Sequence, residues 1–244
     1  MYDEGEKIGS GKEREESGER ENTCDPQMLV DLGSAVTRSK RGNIYTLTIV
    51  GQIEGHQLAS ETAKTTKYEH VMPLLAGLEQ NENIDGLLLL LNTVGGDIEA
   101  GLGIAELIAG MSKPTVSLVL GGGHSIGIPL AVAPKVTMIV PSASMTVHPV
   151  RMNGTMIAAP QTYDYFDRIQ ERIVSFVAKN SHISREKFLS LMLNTGELAA
   201  DVGSVIYGDE AVKLGLMDQI GGLHDALECL YGQIERIRSQ KKEM

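Results

Sequence analysis

The pentapeptide Gly123-His124-Ser125-Ile126-Gly127 has the form G-x-S-x-G. It follows a β-rich run and opens an apolar stretch. In that context a serine hydroxyl is held on a sharp turn, beside helix N-terminal N–H groups that can bind an oxyanion. Glycine-rich strand-to-helix turns also serve close packing alone, so the pentapeptide by itself leaves both readings open. A phosphate-cradling role for Gly121-Gly122-Gly123 fails, because no Gly-Lys-Ser/Thr follows. His148 lies 23 residues beyond Ser125, at the end of a β-run and before Pro149. A histidine at such a strand end can serve as general base for a serine, or can be purely structural. His56 and His70 fall on the expected first helix, and His182 and His224 at helix starts where capping explains them. The Ser, acid, His order of an α/β-hydrolase could be completed by His182 or His224. Gly95-Gly96 follows a leucine-rich run and precedes a helix, so its N–H groups either face a ligand at the strand's C-terminal edge or simply make a tight turn.

These residues need a scaffold, and the hydropathy pattern supplies one. Ile44, Leu47, Ile49 and Val50 form a β-rich run ended by Gly51, and residues 55–80 read as a helix kinked near Pro73. Residues 86–91 are a continuous apolar run bounded by Asp85 and Asn92, the pattern of a parallel strand buried on both faces. After Asp97 comes an amphipathic helix carrying Ile98, Leu102, Ala105 and Ile108, ended by Gly110 and followed by Pro114. Further expectations are a strand over 115–120, a helix over 125–133, and strands over 136–140 and 144–148. A loop over 149–160 and helices over 162–181, 184–193, 209–214 and 223–238 complete the chain. The alternation of strand and helix predicts a parallel α/β core in one domain spanning 26–244, with no internal repeat.

The 244 residues carry 22 Lys and Arg against 32 Asp and Glu, a formal net charge of −10. Half of that charge lies in residues 1–25, where nine acids face four bases with negligible apolar content, and this segment is expected to be a disordered acidic tail. Two cysteines, Cys24 and Cys229, sit at opposite ends with no metal-ligand spacing, which argues against a disulfide framework and a zinc module. The acidic balance, the absence of tryptophan and the 4% aromatic content give nucleic acid no electrostatic or stacking footprint. No run reaches the roughly 20 apolar residues of a membrane span, so a cytoplasmic protein without membrane insertion is expected.

Taken together, Leu91-Asn92-Thr93-Val94-Gly95-Gly96-Asp97, Gly123-His124-Ser125-Ile126-Gly127, Met145-Thr146-Val147-His148-Pro149 and the run from Asp209 to Asp218 resemble the Clp protease proteolytic subunit family. Order and approximate spacing agree from residue 43 to about 222. The resemblance implies a ClpP/crotonase-like α/β spiral of ββα units, with residues 162–181 as a protruding handle helix that pairs two rings into a chamber. It also implies a serine endopeptidase that needs no cofactor and no metal. Ser125 would be the nucleophile and His148 the base, with the Gly95 and Ile126 N–H groups as oxyanion hole and Gly96 as a substrate contact. The implied partners are peptide or unfolded protein substrates and further copies of the chain in stacked rings, with an unfoldase partner left open and a role in protein translocation, secretion or processing. Val94 replaces the family's proline, the serine-to-histidine interval is about two residues shorter than the family's, and Gly203 stands where the family's aspartate is found. Asp201 is the nearest acid for the triad. Two other readings are compatible with these residues: a ClpP-like ring scaffold whose triad has decayed, and a crotonase-like acyl-CoA enzyme.

Overall fold

The apolar run after Asp85 forms the centre of the sheet. In the computed structural model, which describes residues 34–56, 59–60, 62–151, 159–196 and 202–243, this run is strand β4 (Gly86–Gly96). Leu87, Leu89 and Leu91 enter the larger hydrophobic cluster, while Leu88 enters a second one on the opposite face. Strand periodicity sends alternate side chains to opposite faces, so only a strand covered on both sides can be leucine throughout.

On one side of β4 lies β2 (Asn43–Glu54) and on the other β5 (Thr115–Gly123), both parallel to it. The sheet continues through β6 (Val136–Ile139) to β9 (Gln219–Ile220), and on the other edge through β2 to the antiparallel β1 (Ser34–Arg38). β3 (Thr65–Lys67) pairs with the far end of β2. β7 (Ser144–Val147) touches β5 at a single register pair, Gly122 with Ser144, and runs antiparallel to β8 (Ser204–Tyr207). Helices α1 (Tyr68–Gln80), α2 (Ile98–Ala109) and α3 (Gly127–Val132) contribute to the larger cluster. The larger cluster also takes in residues of α4 (Ala159–Lys179), α5 (Arg185–Met192) and α6 (Gly208–Lys213). The C-terminal α7 (Leu223–Glu243) lies on the other face, where Ala226, Leu230 and Ile234 meet Ile44, Leu88, Val116, Leu118 and Met138. Arg41 fastens that helix to the β1–β2 turn, with its guanidinium 2.6 Å from Glu228, 2.9 Å from Glu235 and 4.5 Å from the Tyr231 ring centre.

The parallel α/β core agrees with expectation, but the region after β2 differs from it. None of the described residues within 55–67 is helical. Gly51 does not end β2: its positive φ of 69° carries the strand past Lys64, whose carbonyl accepts from Gln52 N–H at 2.9 Å. A Cβ at Gly51 would stand 2.0 Å from that carbonyl oxygen. Thr66 Oγ1 then bonds both the N–H and the C=O of Val50, at 3.0 and 2.9 Å, so threonine chemistry makes an edge strand where periodicity suggested a helix. His56 accordingly lies beyond β2, not on a helix, and Pro73 sits within the shorter α1. The acidic tail, Cys24, Asp201 and most of the expected loop after Pro149 fall outside the described residues.

Helix α4 divides in two. Its C-terminal half buries Ile169, Ile173, Val174, Phe176 and Val177, whereas its N-terminal half exposes Tyr163 and Tyr165. Arg172 makes a two-pronged contact with Glu99 of α2 at 2.6 and 2.9 Å, with both side chains half exposed. Exposed ion pairs contribute little and cavities cost much. Arg172→Ala is therefore expected to lower stability by less than about 1 kcal/mol, and Phe176→Ala by about 3–5 kcal/mol, in urea titrations of the two variants.

Candidate active site

β4 loses register with both neighbours near its C-terminal end: against β2 between Gly51 and Gln52, and against β5 between Leu91 and Thr93. The Thr93 hydroxyl fills the resulting gap in the ladder, donating to Gly51 O at 2.7 Å and accepting from Gly95 N–H at 3.0 Å. Gly95, expected to turn its N–H to a ligand, spends that N–H inside its own turn. Its φ of 89° and a virtual Cβ only 2.7 Å from Ser125 Cβ explain why glycine is needed: the turn lies directly against the serine. Asp97 N–H then returns to β2 through Ile53 O at 2.9 Å, and its carboxylate caps α2 by accepting from Ala100 N–H.

Ser125 is the one non-glycine residue in the left-handed region among the described residues, with φ 55°. For a residue with a Cβ this conformation costs about 1–2 kcal/mol. It persists because the turn is pinned on several sides. Ser125 N–H donates to Thr146 O at 2.9 Å, Gly127 N–H to His124 O at 2.8 Å, and Ile128 N–H to Ser125 O at 3.0 Å. The N–H of Ile126, at the start of α3, has no hydrogen-bond partner among the described residues. Gly121 and Gly122 are small for a related reason. Cβ atoms there would fall 2.6 Å from Asn92 Oδ1 and 2.6 Å from His124 Nε2.

His148 follows β7 immediately. Its Nδ1 lies 2.7 Å from Pro149 O, and because a carbonyl only accepts, Nδ1 carries the proton and the neutral ring keeps its lone pair on Nε2. Ser125, Ile126, Gly96 and His148 line one cleft of about 190 Å³ whose walls are Ile98, Ile128, Ile173, Phe188 and Met192. No hydrogen bond joins Ser125 Oγ to His148 in this arrangement. Gly203 packs against His148: a Cβ there would stand 2.3 Å from Val147 O and 2.9 Å from His148 Cβ, and φ is 131°. A carboxylate side chain cannot be grown from that position without displacing the histidine. His182 is exposed beside Asp218, and neither it nor His224 lines the cleft. Among the described residues, no group of three or more His, Cys, Asp or Glu is placed to hold a metal, and no helix is long and apolar enough to cross a membrane.

Sequence reasoning overlooked Thr93, His124 and the apolar wall from α4 and α5. His124 was legible in principle, since it adjoins the serine within the same pentapeptide. Thr93 and the wall residues were not, because their roles depend on a register shift and on helices distant in sequence.

The strained serine on its strand-to-helix turn and the histidine that follows β7 line one cleft beside a parallel α/β sheet. Residues 43–223 match the family Clp protease, and the chain belongs to that family. It is 53% identical to the translocation-enhancing protein TepA of Halalkalibacterium halodurans, over 86% of this chain and 82% of that protein. It is 26% identical to the ATP-dependent Clp protease proteolytic subunit 1 of Chlamydia muridarum, over 55% of this chain and 69% of that one. A ClpP1 mutant from Listeria monocytogenes superposes with a TM-score of 0.59 at 22% identity, over 75% of this chain and 94% of that one.

Burial and the facing His148 both push His124 below the usual imidazole range. A histidine held neutral in the native state takes up its proton more readily when unfolded, so stability is full above about pH 6.5 and falls as pH drops below it. Replacing the ring removes that contribution. Urea midpoints measured from pH 7 to 5 are therefore expected to fall less steeply for His124→Asn than for the wild type.

Proposed function

We propose that the chain is a serine peptidase that cleaves peptides or unfolded segments through an acyl-enzyme, without a cofactor and without ATP of its own. The observation that carries this reading is the strained φ of Ser125 beside an unpaired Ile126 N–H, in the same cleft as His148. Ser125 Oγ attacks the scissile carbonyl, His148 Nε2 takes its proton and returns it to the leaving amine, and water then repeats the sequence on the ester. Ile126 N–H stabilises the oxyanion. The second donor is Gly96 rather than Gly95. The Gly95 N–H is already bonded to Thr93 Oγ1, whereas Gly96 lines the cleft. The apolar walls fit an apolar side chain beside the bond to be cut.

Asp201 remains the proposed third member. The histidine would then exchange its bond to the Pro149 carbonyl for a carboxylate that stabilises the imidazolium. Fluorophosphonate labelling tests the site. Ser125→Ala is expected to abolish labelling without disturbing assembly, and Asp201→Asn to slow it by at least about tenfold. A rate for Asp201→Asn within about threefold of wild type leaves a Ser125–His148 dyad. The Pro149 carbonyl on His148 favours a second reading, a ring scaffold with a decayed triad. An unlabelled wild type would establish that one instead.

The exposed Tyr163 and Tyr165 on the N-terminal half of α4 support assembly through this helix into a closed, stacked-ring chamber, and the TepA relative's name supports a task in protein translocation, secretion or processing. Sedimentation is expected to show a large homo-oligomer that Tyr163→Glu with Tyr165→Glu reduces to smaller species. A monodisperse wild-type monomer at micromolar concentration would refute the chamber.

A further inference from the structure

We propose that His124 is a positioning residue: through Thr146, its imidazole holds the left-handed turn at Ser125 against the strand that delivers His148. Consecutive residues grip the same threonine. Ser125 N–H donates to Thr146 O at 2.9 Å, and His124 Nδ1 is hydrogen-bonded to Thr146 Oγ1 at 2.9 Å. A single bond between the turn and β7 would fix a distance and leave a pivot. Two bonds, one to the main chain and one to the side chain, fix the orientation as well.

The imidazole that makes the second bond is itself immobilised. Its ring lies on Gly122, where any Cβ would fall 2.6 Å from Nε2 and 2.7 Å from Cδ2. Its backbone N–H donates to Thr93 O at 3.2 Å, and its carbonyl accepts from Gly127 N–H. The strand it grips is otherwise weakly attached on this side, since β7 meets β5 at the single pair of Gly122 and Ser144. Strand alternation puts Thr146 and His148 on one face, opposite the buried Met145 and Val147. Movement of Thr146 is therefore movement of His148. Burial, and after it the proximity of His148, both disfavour the protonated form of the His124 ring. The clamp sets the separation of the residues read above as nucleophile and base. It rests on that reading for its effect on chemistry, but not for its effect on the turn.

The test separates the two. Hydrogen exchange resolved to the Ser125 amide reports the clamp without any activity, and the fluorophosphonate labelling rate reports its consequence. His124→Ala and Thr146→Val are each expected to speed exchange of that amide and slow labelling by about tenfold, the effect of losing one ordinary hydrogen bond. The double variant should do no worse than either alone, because both remove the same bond. His124→Asn, whose amide places a polar atom near the position of Nδ1, and Thr146→Ser, which keeps the hydroxyl, should restore both rates to within about twofold. General loosening of the fold would not be rescued in this way. Exchange at Ser125 unchanged by both His124→Ala and Thr146→Val, or effects that simply add in the double variant, would overturn the proposal. A wild type that is never labelled would overturn the peptidase reading, while the exchange arm would still decide the clamp.

Discussion

The site depends on how β4 ends. A parallel strand that kept its register would bury every N–H in the two ladders and leave nothing to offer a ligand. Here β4 slips against both β2 and β5 within a few residues, and the Thr93 hydroxyl takes up the broken bond by linking Gly51 O to Gly95 N–H. Without that hydroxyl, a half-buried carbonyl and a buried amide would both lose their partner, and the buried amide is costly to desolvate alone. The Gly95-Gly96 turn, its contact with Ser125 and the start of α2 at Asp97 all follow from that one substitution of side chain for main chain.

The second layer of the site is a packing problem that glycine solves repeatedly. Gly95 allows the serine turn to approach β4, Gly122 allows His124 to lie on β5, and Gly203 allows β8 to approach His148. Each contact is too close for any Cβ. The strain at Ser125 is thereby held in place by rigid strands rather than by loops, as a preorganised nucleophile requires. The closeness at Gly203 also excludes a triad carboxylate from that position, so the histidine finds its partner in the Pro149 carbonyl instead.

Ile173 of α4 and Phe188 and Met192 of α5 line the same cleft as Ser125 and His148, and give it a largely apolar wall. Such a wall excludes water and lets few polar groups act strongly. The same α4 that supplies Ile173 to the cleft extends beyond the core with exposed tyrosines, linking the site physically to the surface proposed for assembly.

Much of this was legible in the sequence. The leucine run of β4 can only be a strand covered on both faces, and glycine pairs and the G-x-S-x-G turn mark the C-terminal strand edges where parallel sheets present their ligands. Those features are local, governed by periodicity and backbone conformation, so composition along the chain determined them. Residues 65–67 defied the same reasoning because a threonine side chain, not periodicity, decided their pairing. The tertiary structure alone decided that Gly95 N–H is consumed by Thr93, that Gly203 abuts His148, and that His124 and Ser125 share Thr146. These contacts join residues from 2 to more than 50 positions apart across shifted ladders. A register shift moves every partner at once, and no local pattern encodes it.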